Sequence, residues 1–224
     1  MAASQGCGGS DQAAKSPEPS TGSHDNAASP VAVSAEIGGL NEEKVDKTFQ
    51  SALTNFQSCL DEGAKRVEFL GGSVSFFIKI DEHGTVDHAH LEKSTIGDRE
   101  TEKCLLETLR HKRWPKPVGG LHGFARKSFD FDPPNDVRAP TAWESDRVSD
   151  AVGKLSHKVS ACKKGASGSF EATMYVGTDG TVLAAGVTPP DEAGESDVDC
   201  LVGTLKSAAM PSPGSWPAKV TFSL

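Results

Sequence analysis

The sequence lacks several features that would place it in a large functional class. It has no run of 18 apolar residues, which is about the length that a membrane-spanning helix needs. It has no C-x-x-C pair typical of zinc sites and no G-x-S-x-G turn that would carry a serine nucleophile. Its net charge of -8 argues against nucleic-acid binding through bulk charge. We therefore predict a protein that is not an enzyme, carries no cofactor and binds no nucleic acid.

The main basic cluster lies where a helix is predicted to end. Its members are Arg110, His111, Lys112, Arg113 and Lys116. Cations at the carboxyl end of a helix complement the helix dipole. Neither interleaved aromatic residues nor a glycine-rich loop accompanies them. We interpret this cluster as a charged helix end, in preference to a phosphate or nucleic-acid site.

What the sequence does contain is an internal repeat that includes cysteines. Three landmarks recur 96 positions apart: the Gly-Thr-Val of 84–86 at 180–182, Cys104 at Cys200, and Pro115 at Pro211. A second cysteine precedes the predicted strands of each copy, Cys59 in the first and Cys162 in the second. This arrangement predicts one disulfide per domain, Cys59 with Cys104 and Cys162 with Cys200. Because disulfides persist outside the reducing cytosol, we expect an extracytoplasmic protein.

Composition divides the chain into four parts. Residues 1–41 consist mostly of small and polar residues and are predicted to be a disordered tether. Residues 42–132 form a first domain and residues 143–224 a second, each large enough for its own core. The proline-rich stretch 133–142 between them is predicted to be a short, semi-rigid linker.

The fifth cysteine, Cys7, lies in the predicted tether. Together with Gly8, Gly9 and Ser10 it resembles the start of a mature bacterial lipoprotein, whose cysteine carries the lipid. The residues before Cys7 form no apolar signal segment. Two interpretations stay open. Either a signal peptide begins upstream and Cys7 is lipidated, which would be the chain's membrane contact, or Cys7 is an unpaired thiol.

Hydrophobic periodicity predicts the same order of elements in both domains: helix, strand, strand, helix, strand. The predicted elements of the first domain are a helix over 42–61, a strand over 74–80, a strand over 85–93, a helix over 99–113 capped by Asp98, and a strand through Phe129 and Phe131. The second domain is predicted to begin with a helix over 145–163 and to end in a strand through Val220 and Phe222. Its middle strand passes through Ala172 and Met174.

This order of helices and strands, with the turns and prolines between them, resembles one known family. The segments ALTNFQSCLDEG, GSVSFFIKIDEHGTVDHAHLEKSTIGD and TEKCLLETLRHKRWPKPVGG closely resemble the AgmX/PglI C-terminal domain, a TonB-like module of bacterial envelope proteins. The resemblance covers about residues 43–132, and the second domain looks like a diverged copy. It implies an α+β fold of two tandem TonB-like domains. Each would have a small three-stranded antiparallel sheet packed against two helices, in the order α-β-β-α-β, with no catalytic residues.

These observations lead to a functional prediction. We predict a non-enzymatic binding or scaffold protein in the periplasm or outer membrane of a Gram-negative bacterium. Its tandem domains would bind an envelope protein or complex by strand addition at the exposed edge of each sheet. A purely structural component, with domains stacked in a larger assembly, is a further interpretation.

An alternative prediction belongs to a different class. His88, His90 and Glu92 occur at two-residue spacing on one predicted strand. They would share a face there, and two imidazoles and a carboxylate are ligands that zinc accepts. The alternative is therefore an extracytoplasmic metal-binding protein or enzyme that uses these three residues. The same spacing is also typical of the solvent face of a half-buried strand.

Overall fold

Residues 38–133, which we call the first half, contain three helices and three strands. They are α1 (Glu42–Gln50), α2 (Leu53–Ala64), β1 (Gly72–Asp81), β2 (Val86–Ser94), α3 (Arg99–Arg110) and β3 (His122–Phe131). Asn41 caps α1, because its side chain accepts a hydrogen bond from the Lys44 amide, and Asp98 caps α3 in the same way through the Thr101 amide. The predicted cap at Asp98 is confirmed.

The second half, residues 137–224, repeats this order with two additional elements, a strand at its start and a short 3-10 helix before its last helix. Its elements are β4 (Thr141–Trp143), α4 (Asp146–Gly153), α5 (Ser156–Cys162), β5 (Glu171–Val176), β6 (Val182–Thr188), a short 3-10 helix (Ala193–Asp197), α6 (Val198–Lys206) and β7 (Ala218–Ser223). The computed structural model describes residues 38–133, 137–164, 166 and 168–224. Cys7 and the rest of the predicted tether before residue 38 lie outside the described residues.

The two sheets share an antiparallel core but differ in strand number. The first sheet has three antiparallel strands in the order β2-β1-β3, and the second has four strands in the order β4-β7-β5-β6. The α+β class is confirmed, whereas the prediction of three strands in the second sheet is wrong. Thr141–Trp143, which overlaps the predicted linker, pairs in parallel with β7 and makes that sheet mixed.

Each long helix predicted at the start of a domain is interrupted. The helix predicted over 42–61 is divided between α1 and α2 at Ser51, whose hydroxyl donates to the Thr48 carbonyl at 2.7 Å. Serine competes with helical hydrogen bonds in this way. The break changes the helical phase, so Ala52 is fully buried while Leu53, which the predicted stripe contained, is 37% exposed. The helix predicted over 145–163 is likewise divided into α4 and α5.

Strand alternation and the two disulfides define the cores. In β1 the alternate residues Val74, Phe76, Ile78 and Ile80 are fully buried, as the period-two pattern predicts. The structure forms both predicted disulfides. The bond between Cys59 and Cys104 joins α2 to α3, and the bond between Cys162 and Cys200 joins α5 to α6. Each closes a loop of about 40 residues and contributes roughly 3 to 4 kcal/mol in the chain-entropy model.

The two halves pack against each other through the second sheet. Tyr175 of β5 is fully buried and belongs to the core of the first half. Its ring lies 5.6 Å from that of Phe69, and its hydroxyl donates to the Gly71 carbonyl at 3.1 Å. Arg99 of α3 pairs with Glu195 at 3.0 Å in the second half. The second sheet is therefore covered on both faces, by its own helices and by the first half.

Candidate partner-binding edge

Strand addition requires a row of backbone N–H and C=O groups without partners along the outside of a sheet. The first sheet offers two outer strands, β2 and β3. In the second sheet, the strand that corresponds to β3 is β7, because it ends the second half as β3 ends the first. These three strands differ in how far their outer edges are open.

The β2 edge is irregular and partly closed. Its pairing with β1 shifts register twice, between Ser75 and Phe76 and between Lys79 and Ile80. Such bulges twist an edge away from further pairing. In addition, the Arg110 guanidinium donates to the Ala89 carbonyl at 2.8 Å. β2 is therefore a poor template for a partner strand.

The corresponding edge of the second sheet is occupied. β4 lies in parallel along β7, with Thr141 opposite Ala218 and Trp143 opposite Val220. The Thr141 amide donates to the Pro217 carbonyl at 2.9 Å. The β7 edge is therefore closed, because the chain itself supplies the added strand, and the outer strands of the second sheet are β4 and β6. Strand addition to the second sheet stays a prediction.

The outer side of β3 is open along most of its length. The carbonyl of His122 accepts the Gly38 amide at 2.6 Å, so the backbone groups of His122 point away from β1. In an antiparallel ladder alternate residues point to the same side, and the pairing of β1 with β3 is continuous. The outward-pointing groups beyond His122 therefore belong to Phe124, Arg126, Ser128 and Asp130. Within the described residues these four have no backbone hydrogen-bond partner on that side, and we call them the β3 edge.

Two cavities lie beside the β3 edge, between the strand and the helices. One, of about 570 Å³, lies near the start of the strand, and its apolar lining consists of Leu40, Val45, Phe124 and Ala125. The other, of about 440 Å³, lies at the end of the strand beside α2 and includes Leu60, Ala64, Leu70 and Phe131. A strand added to the β3 edge would place helix-facing side chains near both cavities, which would select the partner's sequence.

The two cavities carry an excess of negative charge. Five carboxylates line them: Glu42, Asp46, Asp61, Asp130 and Asp132. Only two cations do, and both are paired. Lys127 contacts Asp46 at 2.7 Å, and Arg126 contacts Glu92 at 2.8 Å. The lining therefore has a net formal charge of -3, which favours a partner segment with basic residues.

The outer face of the first sheet carries an aromatic cluster next to the β3 edge. The rings of Phe77 and Phe124 are 5.4 Å apart, and the Arg126 guanidinium lies 4.5 Å from the Phe77 centroid. His90 lies on the other side of Phe77, at 4.9 Å between ring centroids. The outward-facing side chains of an added strand would meet this cluster, where an aromatic or cationic side chain packs favourably.

The predicted metal residues are only partly brought together. His88 and His90 lie side by side, with Nε2 of His88 3.1 Å from Nδ1 of His90. Glu92 lies in a bulge and has no partner residue in β1, because Lys93 and Leu91 pair with successive residues of that strand. Its carboxylate forms an ion pair with Arg126. Burial and the neighbouring His88 lower the pKa of His90. Among the described residues no group of three or more His, Cys, Asp or Glu side chains is arranged to hold a metal ion.

Two ionisable groups lie between the halves, Glu102 buried and Lys219 half-buried, and the sequence reasoning missed both. Glu102 is 1% exposed; Oε1 accepts from the Ser94 hydroxyl at 2.6 Å, and Oε2 has no partner among the described residues. Burial raises its pKa to about 7. Lys219 donates to the Gly71 carbonyl at 2.7 Å, and burial lowers its pKa to about 8. The signal for Glu102 was its position three residues before the buried Leu105, on the apolar face of α3.

Comparisons with models of known families, with curated proteins and with solved structures found no match for this chain. The resemblance to the AgmX/PglI C-terminal domain therefore stays a prediction. The structure itself defines an α+β protein with two disulfides, which indicate an oxidising, extracytoplasmic environment. None of the described helices is both long and apolar enough to cross a membrane.

Proposed function

We propose that this chain is a non-enzymatic binding protein of the bacterial envelope that captures an extended segment of a partner protein on the β3 edge. The observation that carries the proposal is the row of outward-pointing backbone groups at Phe124, Arg126, Ser128 and Asp130, with a cavity at each end. Strand addition uses such a row for affinity and the adjoining pockets for specificity.

The energetics favour a partner segment that uses the cavities as well as the backbone. Each new backbone hydrogen bond contributes a net of about 0.5 to 1.5 kcal/mol. Ordering each residue of a flexible segment costs roughly 1 to 2 kcal/mol. Hydrogen bonds alone would therefore leave binding weak. Apolar side chains placed near Val45 and Leu60, and basic side chains near Glu42 and Asp61, supply the remaining affinity.

The placement in the envelope is part of the same proposal. Two disulfides support an oxidising compartment. The sequence around Cys7 resembles a lipoprotein start, so the protein would be anchored by a lipid in the periplasm or at the outer membrane. Intact-mass measurement of the native protein, before and after reduction, tests this placement. Two disulfides with a lipid on Cys7 are expected, whereas free thiols and an unmodified Cys7 would contradict it.

The β3 edge is tested with one pair of substitutions at Ser128. Ser128→Pro removes the outward-pointing amide, a change that an edge strand tolerates because that amide does not bond to β1. Ser128→Ala is the matched control: like proline it removes the hydroxyl contact to Ser75, but it keeps the amide. A photo-crosslinking residue in place of Glu42, at the rim of the larger cavity, reports the partner in living cells.

The expected result is a crosslinked partner that mass spectrometry identifies, that persists in Ser128→Ala and is lost in Ser128→Pro. Circular dichroism and the intact disulfides of both variants establish that they are folded. A crosslink that is equally strong in the two variants would show that the partner does not add a strand to β3, and would overturn the proposed mode of binding.

A further inference from the structure

The last strands of the two halves are equivalent in their surroundings. In the first half, Ile80 of β1 pairs with Gly123, and in the second half Val176 of β5 pairs with Ala218. In each half the carbonyl just before that glycine or alanine accepts a backbone amide from a segment that precedes the first helix. These carbonyls belong to His122 and Pro217.

The two preceding segments then differ. In the first half, Gly38 donates to the His122 carbonyl, but Gly39 pairs with Val118 and the chain leaves the strand. In the second half, the segment continues along β7 as β4 for three residues. The same edge is therefore open in the first half and closed by the protein's own chain in the second.

β4 is held by few interactions. Thr141 and Ala142 are exposed, and Trp143 is the half-buried residue that packs against the second core. Just before the strand, the Trp216 indole donates to the Ala139 carbonyl at 2.9 Å. A three-residue strand with one anchoring side chain is weakly bound compared with the continuous pairing of β5 and β7.

We propose that β4 is a displaceable internal strand that closes a second partner-binding edge on β7. This inference rests on the proposed function, since it assigns the same kind of occupant to both edges. The occupant of the second edge is an extended peptide segment, parallel to β7, with an aromatic residue in the place of Trp143. β4 itself displays that orientation and that anchor.

The test uses a synthetic peptide of residues 137–144, Val-Arg-Ala-Pro-Thr-Ala-Trp-Glu, as the probe. The full chain is compared with a Thr141→Pro variant, which loses the amide that donates to Pro217. Ala142→Thr is the control, because it changes an exposed side chain of the same strand and keeps every amide. All three proteins also carry Ser128→Pro, so that the peptide cannot bind the β3 edge.

Peptide binding is followed by NMR shifts and hydrogen exchange of the β7 amides, Lys219 among them. A segment tethered by a short linker competes at an effective concentration in the millimolar range. The Thr141→Pro protein is therefore expected to bind the peptide at least tenfold more tightly than the Ala142→Thr protein. A peptide with alanine in place of tryptophan should not show this tighter binding to the Thr141→Pro protein.

Equal binding by the Thr141→Pro and Ala142→Thr proteins, or no binding by either, would overturn the inference. If Thr141→Pro does not fold, Trp143→Ala replaces it, because it removes the anchor and leaves the backbone unchanged. The outcome is separate from that of the proposed function. The peptide experiment reports only β7, whereas the crosslinking experiment with Ser128→Pro reports only β3.

Discussion

Replacing the buried Glu102 by glutamine should change how the stability of this protein depends on pH. The folded-state pKa of Glu102 is about 7, against an ordinary value of 4.5. Between pH 4.5 and 7 the folded protein therefore retains a proton that the unfolded chain releases. Stability contributed by this group is present below pH 4.5 and falls as pH rises to 7.

The size of the effect follows from the shift. Each pKa unit corresponds to 1.36 kcal/mol, so a shift of 2.5 units, from 4.5 to about 7, gives a loss of about 3 kcal/mol at most. Glutamine has no proton to lose and keeps an oxygen that can accept from Ser94. Its amide nitrogen lacks a partner, which costs about 1 to 3 kcal/mol at every pH. That cost lowers the free energy of unfolding by the same amount at every pH, so it does not change how stability depends on pH.

Other groups around Glu102 also affect the profile. Asp98 raises its pKa and Arg99 lowers it. Lys219 and Tyr175, on the sheet of the second half, titrate at higher pH, with pKa values of about 8 for Lys219 and above its ordinary 10 for Tyr175. Because the lowered pKa of His90 gives the opposite slope below pH 6.5, the informative quantity is the difference between the two proteins.

The assay is urea denaturation with the disulfides intact, from pH 5 to pH 8, for the wild-type protein and Glu102→Gln. The difference in the free energy of unfolding, variant minus wild type, should rise by about 2 to 3 kcal/mol between pH 5 and pH 8. Glu100→Gln is the matched control, because Glu100 is an exposed residue of the same helix. A difference that does not change with pH would refute the assignment of a protonated, buried carboxyl group.

Three further predictions concern the disulfides and the contact between the halves. Removing the first disulfide with Cys59→Ser and Cys104→Ser should lower the free energy of unfolding by roughly 3 to 4 kcal/mol, measured in urea; an unchanged value would show that the bond does not constrain the chain. Gly186→Ala should destabilise by about 1 to 3 kcal/mol, because its Cβ would overlap the buried carboxylate of α3. Gly203→Ala, with open space around it, should stabilise α6 by up to about 1 kcal/mol. Thermal melts of both variants measure these effects, and equal effects of the two alanines would contradict the close contact at Gly186. Lys219→Met should remove a rise in stability between about pH 8 and pH 10.5, because the lowered pKa makes the folded protein release a proton in that range. A rise that persists in alkaline urea titrations of the variant would refute the assignment.

The sequence by itself determined the local elements and the covalent frame. Val74 to Ile80 alternate in a pattern that only a half-buried strand satisfies, and their buried positions are confirmed. The two cysteine pairs follow from the repeat, since equivalent positions in two copies of one fold meet equivalent neighbours. These features depend on short-range periodicity or on internal repetition, and both are visible in one sequence.

Only the tertiary structure decided which edges are open and which ionisable groups are buried. β4 pairs with a strand about 80 residues away, and no local pattern indicates that Thr141 would find Pro217. The spacing of His88, His90 and Glu92 suggested that the three residues share one face of β2, but a bulge in the pairing with β1 redirected Glu92. Glu102 is buried because Gly186 of the second half covers it. Each depends on contacts between distant segments, and their free energies are decided by packing and desolvation that a linear pattern does not encode.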